Sequence, residues 1–101
     1  MKIHVERSGG VAGIRLTGDF DTASCSPEDR EQVEKLLQAS DFFALPVNLR
    51  PANPGADRFQ YKISVSDGGD QHTVSLDEAA ASPELRALLS WLMSRLRRQA
   101  S

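Results

Sequence analysis

Polar and apolar side chains alternate in four stretches of the chain. In the first, Ile3 and Val5 stand between polar residues, and Ile14 and Leu16 repeat this spacing shortly afterwards. The second half shows the same alternation in two further stretches, beginning at Phe59. A period of two is typical of strands with one buried and one solvent-facing side. The pattern therefore predicts strands near residues 2–7, 13–20, 58–66 and 71–77.

Two other stretches have helical periodicity, and both begin with the same three residues. Ser26–Glu28 and Ser82–Glu84 each supply an N-cap hydroxyl, a proline at the first helical position and an acid in the first turn. Apolar residues at helical spacing follow in both cases, so we predict helices near residues 27–40 and 83–98. The second helix carries a leucine stripe: Leu85, Leu88, Leu89, Leu92 and Leu96.

The order of elements predicts two ββα units that pack in two layers. We expect one α+β domain over residues 1–101, with a four-stranded antiparallel sheet and both helices on one of its faces. The other face of the sheet would be polar and wet. Its residues would be Lys2, His4, Glu6, Arg15, Thr17, Gln60, Lys62, Ser64, Thr73 and Ser75.

An irregular segment separates the two units. It runs from Val47 to Asp57 and contains three turn or breaker residues, Pro51, Pro54 and Gly55. Loops of this length are uncommon in compact domains and are often functional, although a plain crossover round the sheet is the alternative. The apolar run before it, residues 42–46, is expected to pin the end of the first helix to the core.

Composition excludes several classes of function. The 101 residues hold 12 basic and 14 acidic side chains, which argues against a nucleic-acid partner. The lone cysteine, Cys25, cannot form an internal disulfide. There is no run long enough for a membrane span and no apolar core of a signal peptide. We therefore expect a cytoplasmic protein with no membrane partner.

The residues that most often carry chemistry do not assemble into a recognisable site. His4 lies in phase with polar positions and His72 with apolar ones, so the two are expected on opposite faces of the sheet. That placement disfavours a shared metal site. The glycines of residues 9–13 precede a strand, whereas a phosphate loop precedes a helix. We expect no metal, no cofactor and no enzymatic activity.

Four segments of the chain carry a resemblance to a known family: Met1–Gly13, Phe42–Pro46, Ala56–Tyr61 and Asp67–His72. In this order and spacing they resemble the emfourin family of small bacterial proteins that inhibit thermolysin-like metalloproteases. The resemblance implies an inhibitor of a protealysin-like zinc metalloprotease that binds at or over the active-site cleft. The alternative is a non-catalytic protein-interaction or dimeric regulatory module of unknown partner. In either case we expect a monomer or a weak homodimer. Trp91 and the leucine stripe are predicted to lie in the core, and a homodimer formed through this helix is the alternative.

The residues that would contact the protease are inferred from the substrate preference of thermolysin-like enzymes, and not from known contact residues of the family. Thermolysin-like clefts favour a bulky apolar side chain just after the scissile bond, and a stiff loop lowers the ordering cost of binding. Leu49 beside Pro51 fits this best, although Leu49 could instead anchor the loop to the body. The candidate protease-binding residues are Leu49, Arg50, Pro51, Asn53, Pro54, Asp57, Gly9, Gly10 and Val11.

Overall fold

The structure, a computed structural model, describes residues 1–9, 15–49 and 59–100, with side chains as far as residue 95. Five strands and two helices are present in these ranges, together with two short 3₁₀ helices, Phe42–Ala44 and Glu78–Ala80. The strands are β1 (Lys2–Gly9), β2 (Leu16–Asp21), β3 (Asn48–Leu49), β4 (Phe59–Asp67) and β5 (Asp70–Asp77). The helices are α1 (Pro27–Ala39) and α2 (Pro83–Ala100).

The strands form one mixed sheet in the order β2-β1-β4-β5-β3. All neighbours are antiparallel except β3, which runs parallel to β5. The α+β class and the two helices are as predicted, but the expectation of four antiparallel strands was wrong. Ser75 N donates to Val47 O at 2.8 Å, and the two residues that follow Val47 continue the pairing. A strand of two residues has no periodicity to detect, and it lay inside the segment predicted to be a loop.

One face of the sheet is buried beneath both helices. In the register, Ile3 lies beside Val65, and Val5 lies beside Ile63. Because side chains alternate between faces, these residues share the covered side. Both helices contribute to the same core, which confirms that they pack on one face. The buried apolar residues are Ile3, Val5, Phe20, Val33, Leu37, Phe42, Ile63, Val65, Val74, Leu76, Ala81, Leu85, Leu88, Leu89, Trp91, Leu92 and Met93.

Both helices start where the Ser-Pro-Glu pattern predicts. The Ser26 hydroxyl accepts from Asp29 N at 3.2 Å, and the Ser82 hydroxyl accepts from Leu85 N at 3.2 Å. Each bond satisfies a backbone donor that the first turn leaves free. The repeated sequence is therefore a repeated helix cap.

The two helices are also joined by side chains across their contact. Arg95 Nη2 donates to Asp29 Oδ1 at 2.7 Å, and the Arg95 guanidinium carbon lies 4.6 Å from the centroid of the Trp91 ring. The Phe20 ring of β2 lies 6.3 Å from the same ring, between centroids. Trp91 and the described leucines of the stripe, Leu85, Leu88, Leu89 and Leu92, are buried, which confirms the prediction that they belong to the core.

Neither helix described here combines the length and the apolar character that crossing a membrane would require.

Candidate functional site

Five strand ends meet at the same end of the sheet. The last residue of β1, Gly9, pairs with the first residue of β4, Phe59. The first residue of β2, Leu16, pairs with Arg7, and the last residue of β3, Leu49, pairs with Leu76 near the end of β5. We call this region the loop end of the molecule and define it by Gly9, Leu16, Leu49, Phe59 and Asp77.

The loop end is where both candidate inhibitory segments join the sheet. Residues 10–15 connect β1 to β2, and residues 50–58 connect β3 to β4. Each segment therefore leaves and rejoins the fold at the loop end. Seven of the predicted site residues belong to these segments and lie outside the described residues: Gly10, Val11, Arg50, Pro51, Asn53, Pro54 and Asp57.

The two remaining predicted residues lie at strand ends. Gly9 closes β1 with a φ of 92°, a conformation that glycine adopts more readily than other residues. Leu49 is half-buried and packs against the core. This position favours the alternative considered for Leu49, in which the side chain anchors the neighbouring segment to the body. Its neighbour Val47 is 60% exposed.

Beside the loop end, on the helix side of the sheet, there is a cleft of about 460 Å³. The pairing of Arg7 with Tyr61 forms its sheet wall, and α2 forms the opposite wall. We call this the arginine cleft because two arginines belong to its lining. The lining residues are Arg7, Tyr61, Glu78, Ala79, Arg86, Leu89, Ser90 and Met93.

The charged side chains of the arginine cleft are positioned by contacts with neighbouring residues. The Arg7 guanidinium carbon lies 4.4 Å from the centroid of the Phe59 ring, and Arg86 Nε donates to Ala81 O at 3.3 Å. Glu78 Oε1 accepts from Phe59 N at 3.2 Å. In the described part of the lining, two guanidinium groups and one carboxylate leave one net positive charge. Neither arginine has an ion-pair partner in the part of the chain that the structure describes.

Sequence reasoning missed this cleft, although the signal was present. Arg7 continues the alternation of Ile3 and Val5, so it occupies the core-facing side of β1 at its loop end. Tyr61 is in the same phase as Ile63 on β4. Polar groups at the end of an otherwise apolar face mark the place where the core opens to solvent.

The opposite face of the sheet carries a row of linked charges, as its predicted polarity requires. His4 Nδ1 lies 2.7 Å from Asp19 Oδ1, and His4 Nε2 lies 3.6 Å from Glu6 Oε1. Arg15 Nη2 donates to Glu6 Oε1 at 2.7 Å. The hydrogen bond with Asp19 raises the pKa of His4, and the hydrogen bond from Arg15 lowers the pKa of Glu6. This row extends towards the loop end.

The second histidine lies on the helix side. His72 Nε2 is 2.7 Å from Leu45 O, and its ring centroid is 5.7 Å from that of Phe42. The two histidines thus face opposite sides, as predicted. Within residues 1–9, 15–49 and 59–100, no group of three or more His, Cys, Asp or Glu could hold a metal ion.

Comparison with known proteins gives two findings. The family model "Emfourin" matches residues 5–93. A solved structure, "Emfourin (M4in) from Serratia proteamaculans, M4 family peptidase inhibitor", is similar at 21% identity and a TM-score of 0.47. The alignment covers 89% of this chain and 84% of that one. A search of curated proteins found no match.

Proposed function

Because the chain belongs to the Emfourin family, whose model spans residues 5–93, we propose that it inhibits a thermolysin-like zinc metalloprotease of the protealysin type. The family is one of inhibitors, so the chain is not an enzyme. The family match is the observation that carries this proposal. The geometry supports it by bringing both candidate segments to one end of the sheet.

The protease contact is assigned to the loop end. A protein seated there can touch residues 10–15 and residues 50–58 at the same time, because both segments start and finish at that end. Leu49 packs against the core, so we give it the role of anchoring the second segment. The direct contacts are then assigned to the residues beyond it: Arg50, Pro51, Asn53, Pro54 and Asp57, with Gly9, Gly10 and Val11 on the first segment.

Inhibition of this kind requires no metal or covalent chemistry from the inhibitor. Strand pairing fixes both ends of the second segment, at Leu49 and at Phe59. Pro51 and Pro54 restrict the backbone between those ends. A segment restricted in this way loses less conformational freedom on binding, so more of the contact energy remains as affinity. The expected result is a non-covalent complex over the active-site cleft.

The test is an inhibition assay with a control at the far end of the molecule. The purified chain is mixed with a panel of thermolysin-like proteases at neutral pH, and peptide hydrolysis is followed. We expect stoichiometric loss of hydrolysis with at least one enzyme. Replacing residues 51–57 by a Gly/Ser segment of equal length should weaken inhibition, whereas Asp70→Ser in the opposite hairpin should not.

Two results would count against the proposal. If the folded chain at micromolar concentration inhibits no member of the panel, the protease partner is wrong. If inhibition survives replacement of residues 51–57 with the fold intact, the contact lies elsewhere, and residues 10–15 are the next segment to replace.

A further inference from the structure

We propose that the arginine cleft is a second contact site, which receives the carboxylate of an acidic side chain on the bound protease. The inference rests on the proposed function, since it names a further contact of the same complex. It adds a site that lies beside the inhibitory segments and is built from described residues of β1, β4 and α2.

The chemistry of the cleft suits a carboxylate on a short apolar stem. A guanidinium group presents its N–H groups as a planar fork that can bind both oxygens of a carboxylate. Stacking on Phe59 at 4.4 Å holds the fork of Arg7 in place. Leu89 and Met93 are buried in the lining and offer an apolar surface to the methylene groups of the incoming side chain.

The two cleft arginines differ from Arg15 and Arg95 in their partners. Arg15 and Arg95 each reach a carboxylate at 2.7 Å. Arg7 and Arg86 have no such partner among the described residues, although both face the same cleft. Among the described residues of the lining, Glu78 alone carries a carboxylate, and this carboxylate accepts a hydrogen bond from the backbone N–H of Phe59. The described residues of the cleft therefore carry a net positive charge that can complement an acidic group.

The position of the cleft explains why the occupant is the protease. Arg7 lies two residues before Gly9, and Tyr61 lies two residues after Phe59, so the sheet wall of the cleft adjoins the loop end. A protein that covers the loop end also approaches the cleft. Arginine and tyrosine are among the residues that most often dominate binding energy at interfaces.

The first arm of the test measures inhibition. Arg7→Gln and Arg86→Gln should each weaken inhibition of a protease found in the panel by roughly tenfold or more, the usual effect of losing a hydrogen bond to a charged group. The loss should shrink at high salt, because screening weakens the pairing in the wild type. The matched control is Arg30→Gln on α1, whose arginine is exposed and makes no ion pair among the described residues.

The second arm needs no protease. Backbone amide signals of the ¹⁵N-labelled chain are followed by NMR during titration with hexanoate and, separately, with the neutral analogue hexanamide. Hexanoate should shift the signals of Ala79, Ser90 and Met93 with millimolar affinity, and hexanamide should not. The shifts should disappear in the double variant of Arg7→Gln with Arg86→Gln, whose fold is checked in the same spectra.

The two arms separate the possible failures. If hexanoate acts no differently from hexanamide, the carboxylate site is wrong whatever the inhibition assays give. If hexanoate binds but both single variants inhibit as strongly as wild type, the protease is not the occupant and the proposal falls. If the wild-type chain inhibits no protease, the proposed function fails, while binding of hexanoate would still support the carboxylate site.

Discussion

Leu49→Ala separates the two roles considered for this side chain. Leu49 packs partly buried against the core at the last residue of β3, beside Leu76. If it anchors the segment that follows, shortening it to alanine should lower the stability of the fold. If it fills a pocket of the protease, the same change should weaken inhibition and leave stability unchanged. The structure favours the first outcome.

The magnitude follows from the atoms removed. Leucine to alanine deletes three carbon atoms, and each buried methylene contributes about 0.8 kcal/mol. If Leu49 were fully buried, the substitution would therefore lower the free energy of unfolding by about 2.4 kcal/mol, without counting the cost of the cavity it leaves. Because Leu49 is half-buried at the edge of the sheet, we expect about 1–2 kcal/mol. For a domain of this size that corresponds to a fall in Tm of roughly 4–16 °C.

The assay measures Tm and the inhibition constant on the same samples. Inhibition is read well below the Tm of the variant, so that unfolding does not contribute. Val47→Ala is the matched control, since Val47 lies just before β3 and is 60% exposed. Its Tm should change little. An unchanged Tm for Leu49→Ala, together with inhibition weakened tenfold or more, would refute the anchoring role and restore Leu49 as the protease contact.

Two further changes test the ends and the outer face of the sheet. Asp77→Ala removes the acceptor for Ala79 N at 2.9 Å and for the Gln60 amide at 2.8 Å, and should cost about 1–3 kcal/mol of unfolding free energy in urea denaturation. The carboxylate of Asp19 raises the pKa of His4 above its ordinary 6.5, so protonated His4 stabilises the fold fully below about pH 6.5 and this contribution is lost as pH rises through the folded-state pKa. In an NMR titration, Asp19→Asn should return the pKa of His4 towards 6.5.

Each of these expectations has an outcome that contradicts it. Asp77→Asn preserves the size of the side chain and one oxygen, so it should be milder than Asp77→Ala; equal stability of the wild type and the alanine variant would show that the two hydrogen bonds are unimportant. An identical titration of His4 in wild type and in Asp19→Asn would show that the 2.7 Å contact does not control its protonation.

The periodic parts of the fold could be predicted from the sequence because their faces are amphipathic. The four long strands and both helices were located within a few residues, and the two Ser-Pro-Glu caps marked the helix starts. The strand Asn48–Leu49 could not be predicted, because its pairing with β5 is a long-range contact that leaves no local pattern. The parallel direction of this pair could not be predicted for the same reason.

The site was less predictable than the fold. The candidate segments could be chosen from their length and composition. That both start at the same end of the sheet depends on β1 lying beside β4, and periodicity does not determine this pairing. The position of Arg7 on the core-facing side of β1 could be predicted, because it continues the alternation of Ile3 and Val5. Its partner across the cleft, Arg86, lies on a helix that begins more than seventy residues later, and only the tertiary structure brings the two together.

The strand order has a consequence for survival in the presence of a protease. The sheet interleaves the two halves of the chain: β1 holds β4 on one side, and β3 holds β5 on the other. A single cut within residues 50–58 would therefore create two fragments that share one sheet and one core. The nicked protein would be a two-piece complex that keeps its shape and both cut ends at the same end of the sheet. With this architecture, an inhibitor that has been cleaved once in this segment can still present its binding surface.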